Sequence, residues 1–315
     1  QNKAAEVCRY PTTESRALLN TLSENEGVPR GQILIGSGSG EVLEAYGAHL
    51  GGAGGEVVTA WPSYRQLIGA MERRGSAVIE VPLNDRLEID LEAMAAAITP
   101  TTQCVYVCNP NNPTGTIVDP VKLKKFAIEV SKRVPVFIDE AYLECSDDFA
   151  ANTMVGLVAE GHNVTVSRTF SKIHGMAGQR IGYAVLPADL VTPVRTLITG
   201  GTNLLALAGA QASLADADYV ETMRRKIKAG RDRLMAVLDE LGCRYAEPQG
   251  NFVFFQSSVS IREFRPAMRA AGVLVGRAFP LYDDWCRISI GTPEEMAVAH
   301  AALREVKGAF TSETL

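Results

Sequence analysis

One stretch of this sequence, SRTFSKIHGMAGQR (167–180), gathers hydroxyls, a lysine and an arginine at close spacing. Thr169 and Ser171 come just before Lys172, and Arg180 follows it. A lone lysine is ordinarily a solvated surface residue. A lysine among hydroxyls and an arginine suits a reactive amine beside an anionic group. Upstream, Asp139-Glu140-Ala141-Tyr142 follows VPVFI directly, which puts a carboxylate at the end of an apolar run. Such a group either caps backbone or joins a structural ion pair, or it awaits a buried cation. Asn109 to Gly115, NPNNPTG, is a rigid polar turn with more polar residues than a turn needs, and the surplus hints at ligand contact. Gly36-Ser37-Gly38-Ser39-Gly40 opens a helical pattern; its backbone N–H groups could approach a phosphate, or it is a plain connection. The dinucleotide spacing GxGxxG fails, because Glu41 stands at its third glycine.

These groups must be positioned by the elements around them. Short β-rich runs at 32–35, 56–60, 77–81, 104–108, 134–140, 163–167 and 180–186 alternate with helical patterns at 39–50, 63–74, 90–98 and 119–132. Asp119 and Pro120 mark the start of the last of these, and Leu123, Phe126, Ala127 and Val130 share its apolar face. The alternation predicts an α/β fold, a three-layer and mostly parallel sheet wrapped by helices. Ligands bind such sheets outside the carboxyl ends of the strands, where the groups above fall. After residue 200 a long amphipathic helix runs through Val220, Met223, Ile227, Leu234, Leu238 and Leu241 to Gly242. Strands near 251–256, 273–276 and 286–290 and helices near 260–271 and 293–307 follow. We therefore expect a large domain, 1–212, and a smaller α+β domain, 213–315, entered through the long helix.

With 315 residues, 46% apolar and 21% charged, the chain has the balance of a folded globular protein. A net charge of −5 without a long basic run gives no reason to expect nucleic acid or an anionic membrane as partner. No apolar stretch approaches the ~20 residues that span a bilayer. Cys104 and Cys108 lie on one face of a buried strand, roughly 13 Å apart, too far for a disulfide. Reduced core thiols in a cytoplasmic protein are the expectation. The four histidines show no metal-ligand spacing, so no metal site is expected. The chain opens at Gln1 in a helical pattern, and a preceding segment with any targeting signal is expected ahead of it.

Read together, Ser39-Gly40, Tyr64, NPNNPTG, DEAY, TFSK and Arg180 stand in the order and rough spacing of fold-type I pyridoxal-phosphate (PLP) aminotransferases. Within that family the chain resembles the histidinol-phosphate aminotransferase branch, through RYP (9–11), CNPNNPTG (108–115), DEAY (139–142), SRTFSK (167–172), NFVFF (251–255) and CRISIGT (286–292). The resemblance implies that Lys172 forms the internal aldimine with PLP and, once freed, moves the proton from the substrate's Cα. It implies that Asp139 faces the pyridine nitrogen and keeps it protonated. Asn112 and Tyr142 match the pair that hydrogen-bonds the ring's 3′ oxygen, and Tyr64 matches the aromatic that stacks on the ring. Ser39, Gly40, Thr169, Ser171 and Arg180 would hold the phosphate. Tyr10 matches a tyrosine that reaches the phosphate across a dimer interface, which implies a homodimer with shared sites. Arg287 matches the arginine that binds the substrate's carboxylate or phosphate, with Arg277 as a second anion contact and Asn251 near the cofactor's edge.

Three features depart from the family pattern. Gly40 stands where an aspartate is usual, and Thr199-Gly200-Gly201-Thr202 replaces a more apolar stretch that borders the substrate in relatives. The arm that closes over the substrate is not among these residues. The expected reaction is transfer of an amino group from histidinol phosphate to a 2-oxo acid, 2-oxoglutarate. An aromatic or other amino acid donor is the rival, since the pocket and not the catalytic core decides it. PLP decarboxylases of the phosphothreonine type share the same core. A PLP-binding regulatory module would need a DNA-binding domain that these residues lack, and a nucleotide-binding protein would show no visible chromophore.

Overall fold

Seven of the apolar runs form one sheet in the computed structural model, which describes residues 3–312. Its strands are β1 (Ile33–Gly36), β2 (Glu56–Trp61), β3 (Ala77–Pro82), β4 (Thr102–Cys108), β5 (Val136–Asp139), β6 (Val164–Thr169) and β7 (Gly182–Val185). Their order is β1-β7-β6-β5-β4-β2-β3. The pairs from β3 across to β6 are parallel, and β7 runs antiparallel to both its neighbours. Helices cover both faces, which is why the central strands are apolar without alternation. One face packs Val105, Val107, Val136 and Ile138 against the helices Thr12–Glu26 and Pro120–Ser131. The other packs Cys104, Tyr106, Cys108 and Phe137 against Ser39–Leu50 and Gln66–Arg73. Cys104 and Cys108 thus share a face, and all six cysteines are free.

The helix Pro120–Ser131 starts as its sequence dictates, with Asp119 accepting from the Lys122 N–H and Pro120 in the first turn. The helix expected from residue 63 begins only at Gln66. Ser63 is used elsewhere: its hydroxyl donates to Asn111 Oδ1 at 2.9 Å.

The chain's later part builds its own core around a long helix, Ala217–Glu240, capped by Asp216 and followed by Gly242 at φ 63°. An antiparallel pair, β8 (Phe252–Gln256) and β9 (Trp285–Ser289), packs with the helices Ile261–Ala270 and Pro293–Ser312. The strand expected at 273–276 does not form. Val273 and Val275 pack partly buried against the core and Leu274 points outward, but the run meets β9 through Gly276 N, which donates to Arg287 O at 2.9 Å, without the ladder of a paired strand.

A buried ion network ties the first helix to the sheet. Arg168 Nε donates to Glu140 Oε2 at 3.0 Å and its Nη1 to Glu26 Oε1 at 2.7 Å, and the Tyr183 hydroxyl donates to Glu26 as well. No helix among the described residues is long and apolar enough to cross a membrane.

Candidate active site

The carboxyl ends of β4, β5 and β6 and the first turn of the helix Ser39–Leu50 enclose a cavity of about 230 Å³. Asp139 closes its floor. It is the last residue of β5, it lies beside Cys108 on one strand and Ser167 on the other, and it is 1% exposed. Its Oδ1 accepts from the Ser167 hydroxyl at 2.8 Å and the Ala141 N–H at 3.2 Å, and its Oδ2 from the Tyr106 hydroxyl at 3.0 Å. All three donors are neutral. Burial pushes the carboxyl above the usual range, while these hydrogen bonds and the charge of Lys172 pull it back.

Lys172 sits in the turn after β6, which is anchored by buried Phe170. Its Nζ lies 4.7 Å from the centre of the Tyr142 ring. Burial lowers its proton affinity, and the nearby charge of Arg287 lowers it further. That is the setting of a nucleophilic amine. Tyr142 meets Phe252 edge-on at 5.0 Å, and burial pushes its phenol up to about 12. Tyr64, 37% exposed, lines the same cavity.

The opposite end is built for an anion. Thr169 Oγ1 donates to Ser171 Oγ at 2.9 Å, and Arg180 Nη1 donates to Ser171 Oγ at 3.4 Å and Ala177 O at 2.8 Å. Arg180 itself has φ 56°, a conformation rarely taken by a side-chain-bearing residue and often kept at functional sites. Ser39 and Gly40 contribute a helix N-terminus, whose first N–H groups have no partner within the helix. Two glycines allow this approach. A Cβ on Gly38, at φ 83°, would collide with the Arg180 guanidinium, and one on Gly182 with the Ser39 backbone nitrogen. A Cβ on Gly40 would meet nothing within 4 Å.

Arg287, on β9 of the smaller sheet, reaches Asn112 on the cavity wall. Its Nη1 donates to Asn112 Oδ1 at 2.5 Å, its guanidinium lies 4.8 Å over the Phe252 ring, and its Nε is buried with no hydrogen-bond partner. Among the described residues no carboxylate pairs with it.

The surplus of the NPNNPTG turn is largely structural. Asn109 Oδ1 accepts from the Val118 N–H at 2.8 Å, and Asn111 Nδ2 donates to Pro62 O and Thr114 Oγ1. Of the three asparagines only Asn112 lines the cavity. Glu41, at the failed third glycine, accepts from the N–H groups of Ser37 and Gly200 and so ties the phosphate-like loop to the 199–202 segment.

Four expected residues lie outside the cavity wall: Arg287, which meets it through Asn112, and three more. Tyr10 is 97% exposed. Arg277 is exposed, donates to Ala278 O, and lies over Phe279. Asn251 uses its backbone carbonyl to accept from Ile290 N at the start of the small sheet. Tyr106 and Ser167 escaped the sequence reading. Ser167 stands inside SRTFSK and could have been found from its parallel register with Asp139, whereas nothing local singled out Tyr106.

The family model for aminotransferase class I and II matches residues 2–303. A histidinol-phosphate aminotransferase of Moorella thermoacetica is 35% identical over 310 residues, covering 97% of this chain and 80% of that protein. An aromatic amino acid aminotransferase of a Mycobacterium species (strain KMS) is 39% identical over 266 residues, covering 84% of this chain and 73% of that protein. Among solved structures, the histidinol-phosphate aminotransferase of Sinorhizobium meliloti in complex with pyridoxal 5′-phosphate superposes with a TM-score of 0.88 at 27% identity, covering 98% of this chain and 85% of that one.

The residues of this chain fit that cofactor. A phosphate suits Arg180, which has only neutral acceptors among the described residues, and the helix N-terminus; an aldehyde suits the amine of lowered proton affinity; a cationic ring nitrogen suits a buried carboxylate with neutral donors only. With family, fold and cofactor chemistry in agreement, the chain belongs to the class I and II aminotransferases and is a PLP-dependent transaminase of fold type I.

Proposed function

We propose that this enzyme takes the amino group of histidinol phosphate and hands it to 2-oxoglutarate. The observation that carries this reading is Arg287: a guanidinium without a carboxylate partner among the described residues, with an orphaned Nε, close enough to Lys172 to lower its proton affinity. A planar fork of donors can grip a phosphate on the donor and a carboxylate on the acceptor in turn. Arg277, on the segment beside Arg287, is a second cation for the same anions.

When bound, PLP supplies an aldehyde that captures the substrate's amine and a ring that accepts electrons from its Cα–H bond. The chain's own residues do the rest. Lys172 Nζ, its proton affinity lowered by burial, would take the Cα proton and deliver it to the cofactor's reacting carbon. Asp139 would keep a proton on the ring nitrogen, Asn112 and Tyr142 would hold the ring's oxygen, and Tyr64 would cover its face. Ser39, Gly40, Thr169, Ser171 and Arg180 would grip the phosphate.

We further infer a homodimer with shared sites, since Tyr10 stands free on the surface as a residue donated to a partner's phosphate site would. The same reading divides the chain at residues 212 and 213, the first part holding the cofactor and the second delivering Arg287. Its free cysteines suit the cytoplasm.

An aromatic donor is the second reading, favoured by the Tyr64 and Tyr142 rings on the cavity wall and by Phe252, which packs behind Tyr142 and under Arg287. Single-turnover absorbance of the PLP-loaded enzyme separates the two. Loss of the cofactor's visible band with histidinol phosphate and not with phenylalanine supports the first. The reverse result moves the donor to the aromatic amino acids, and carbon dioxide release would make the enzyme a decarboxylase.

A further inference from the structure

Two hydroxyls with no part in the reading above converge on Asp139 from the strands on either side of it. Tyr106 on β4 pairs in register with Phe137, two residues before Asp139. Its ring lies along that of Phe137, with centroids 6.1 Å apart, so that its hydroxyl reaches Asp139 Oδ2 at 3.0 Å. Ser167 on β6 stands directly beside Asp139 and donates to Oδ1 at 2.8 Å. Both side chains are wholly buried. In that layer of Cys104, Phe137 and Tyr46, a phenylalanine and an alanine would serve packing alone.

We propose that Tyr106 and Ser167 are positioning residues that keep Asp139 ionised, aimed and weakly basic, so that a proton on a cationic nitrogen beside it stays on that nitrogen. The inference rests on the reading that Asp139 faces the ring nitrogen of PLP. Burial alone drives a carboxylate toward its neutral form, and hydrogen bonds donated to the ionised form oppose that drift. The Tyr106 phenol is itself pushed well up by burial and by the Asp139 charge, so it remains a donor. Because the donors sit on opposite strands, each fixes a different oxygen, and the carboxylate cannot rotate without losing one. An Asp139 deprived of them would be the stronger base. It would draw the proton toward itself and leave the ring a poorer electron acceptor.

The test uses Tyr106→Phe, Ser167→Ala, the double variant and the conservative Ser167→Thr, each with and without PLP. A hydrogen bond to a charged group is worth roughly tenfold or more in an equilibrium constant. Each single loss should therefore weaken PLP binding about tenfold, and the double loss more than either. The acid limb of the single-turnover rate should move to higher pH, since a carboxylate without donors protonates sooner. Ser167→Thr should restore both properties, while the melting temperature of the PLP-free protein changes little. Variants that bind PLP within twofold of the parent and keep its pH profile would overturn the proposal. So would weakened binding that tracks a falling melting temperature with an unmoved pH profile. If Tyr106→Phe does not fold, Ser167→Ala and Ser167→Thr decide alone. Asp139→Asn is the control. If it behaves like the parent, the reading of Asp139 fails; if it is impaired and the hydroxyl variants are not, only the present inference fails.

Discussion

Arg287 of the small sheet donates to Asn112 Oδ1 of the NPNNPTG turn at 2.5 Å, across 175 residues of sequence. In the function proposed above, that bond would join the part of the chain that holds the substrate's anion to the part that holds the cofactor's ring. Replacing Arg287 by glutamine keeps a donor for Asn112 and removes the charge. We expect KM for the phosphorylated donor and for the 2-oxo acid to rise together by roughly 10- to 100-fold, from the worth of a charged hydrogen bond. PLP affinity should change little. Steady-state kinetics on both substrates check this, and a rise for only one of them would remove Arg287 from its shared role.

Lys172 should titrate early. Burial first, and the Arg287 charge second, disfavour its ammonium form, so it loses its proton below the ordinary lysine value of 10.5. In the PLP-free protein the pH dependence of its reaction with an amine-modifying reagent should show that lowered midpoint. Arg287→Gln should move the midpoint up. Lys172→Ala should abolish the visible band of the loaded enzyme and slow transamination by at least about 10²-fold, the lower end of what a positioned acid–base group supplies.

The glycines of the 36–40 loop are not equivalent. Gly38→Ala places a methyl against the Arg180 guanidinium at a φ of 83°, which L-residues avoid. PLP affinity should fall at least about tenfold, the equivalent of a lost charged hydrogen bond. Gly40→Ala meets no protein atom within 4 Å, keeps the backbone N–H, and stands where relatives usually carry an aspartate, so PLP affinity should stay within about twofold of the parent. Equilibrium titration with PLP distinguishes them.

Arg168 is a stability residue. Arg168→Met would strand Glu26 and Glu140 as buried charges, at a cost of about 3–5 kcal/mol. Urea unfolding of the PLP-free protein measures this. A loss below about 1 kcal/mol would mean that water reaches the network.

Much of this was legible in the sequence because the chemistry sits just past strand ends, where local pattern and site coincide. Asp139 and Lys172 each follow an apolar run at the carboxyl end of a parallel strand, and Arg180 comes just before the antiparallel β7 beside them. The turn at 109–115 misled for a physical reason: Asn109 and Asn111 look like ligands by type, but their amides satisfy buried backbone and neighbouring side chains. The run at 273–276 has strand composition and a partly buried face, yet it forms no ladder with β9 beyond the bond from Gly276 N to Arg287 O. Tyr106 was invisible because its function depends on a neighbour's register and not on its own surroundings in the chain. Tyr10, Arg277 and Asn251 came from resemblance alone, and a single chain does not bring them to the cavity wall.

The pairs Asp139–Ser167 and Glu140–Arg168 lie on opposite faces of the same two strands. A slip of β5 or β6 by one residue would turn Glu140 or Arg168 toward the cofactor's cavity and bury Asp139 or Ser167 among valines. The ionic pair on the far side thus works as a key that admits one alignment of the strands. A chain that folds out of step is penalised by a charge left in oil before any substrate arrives.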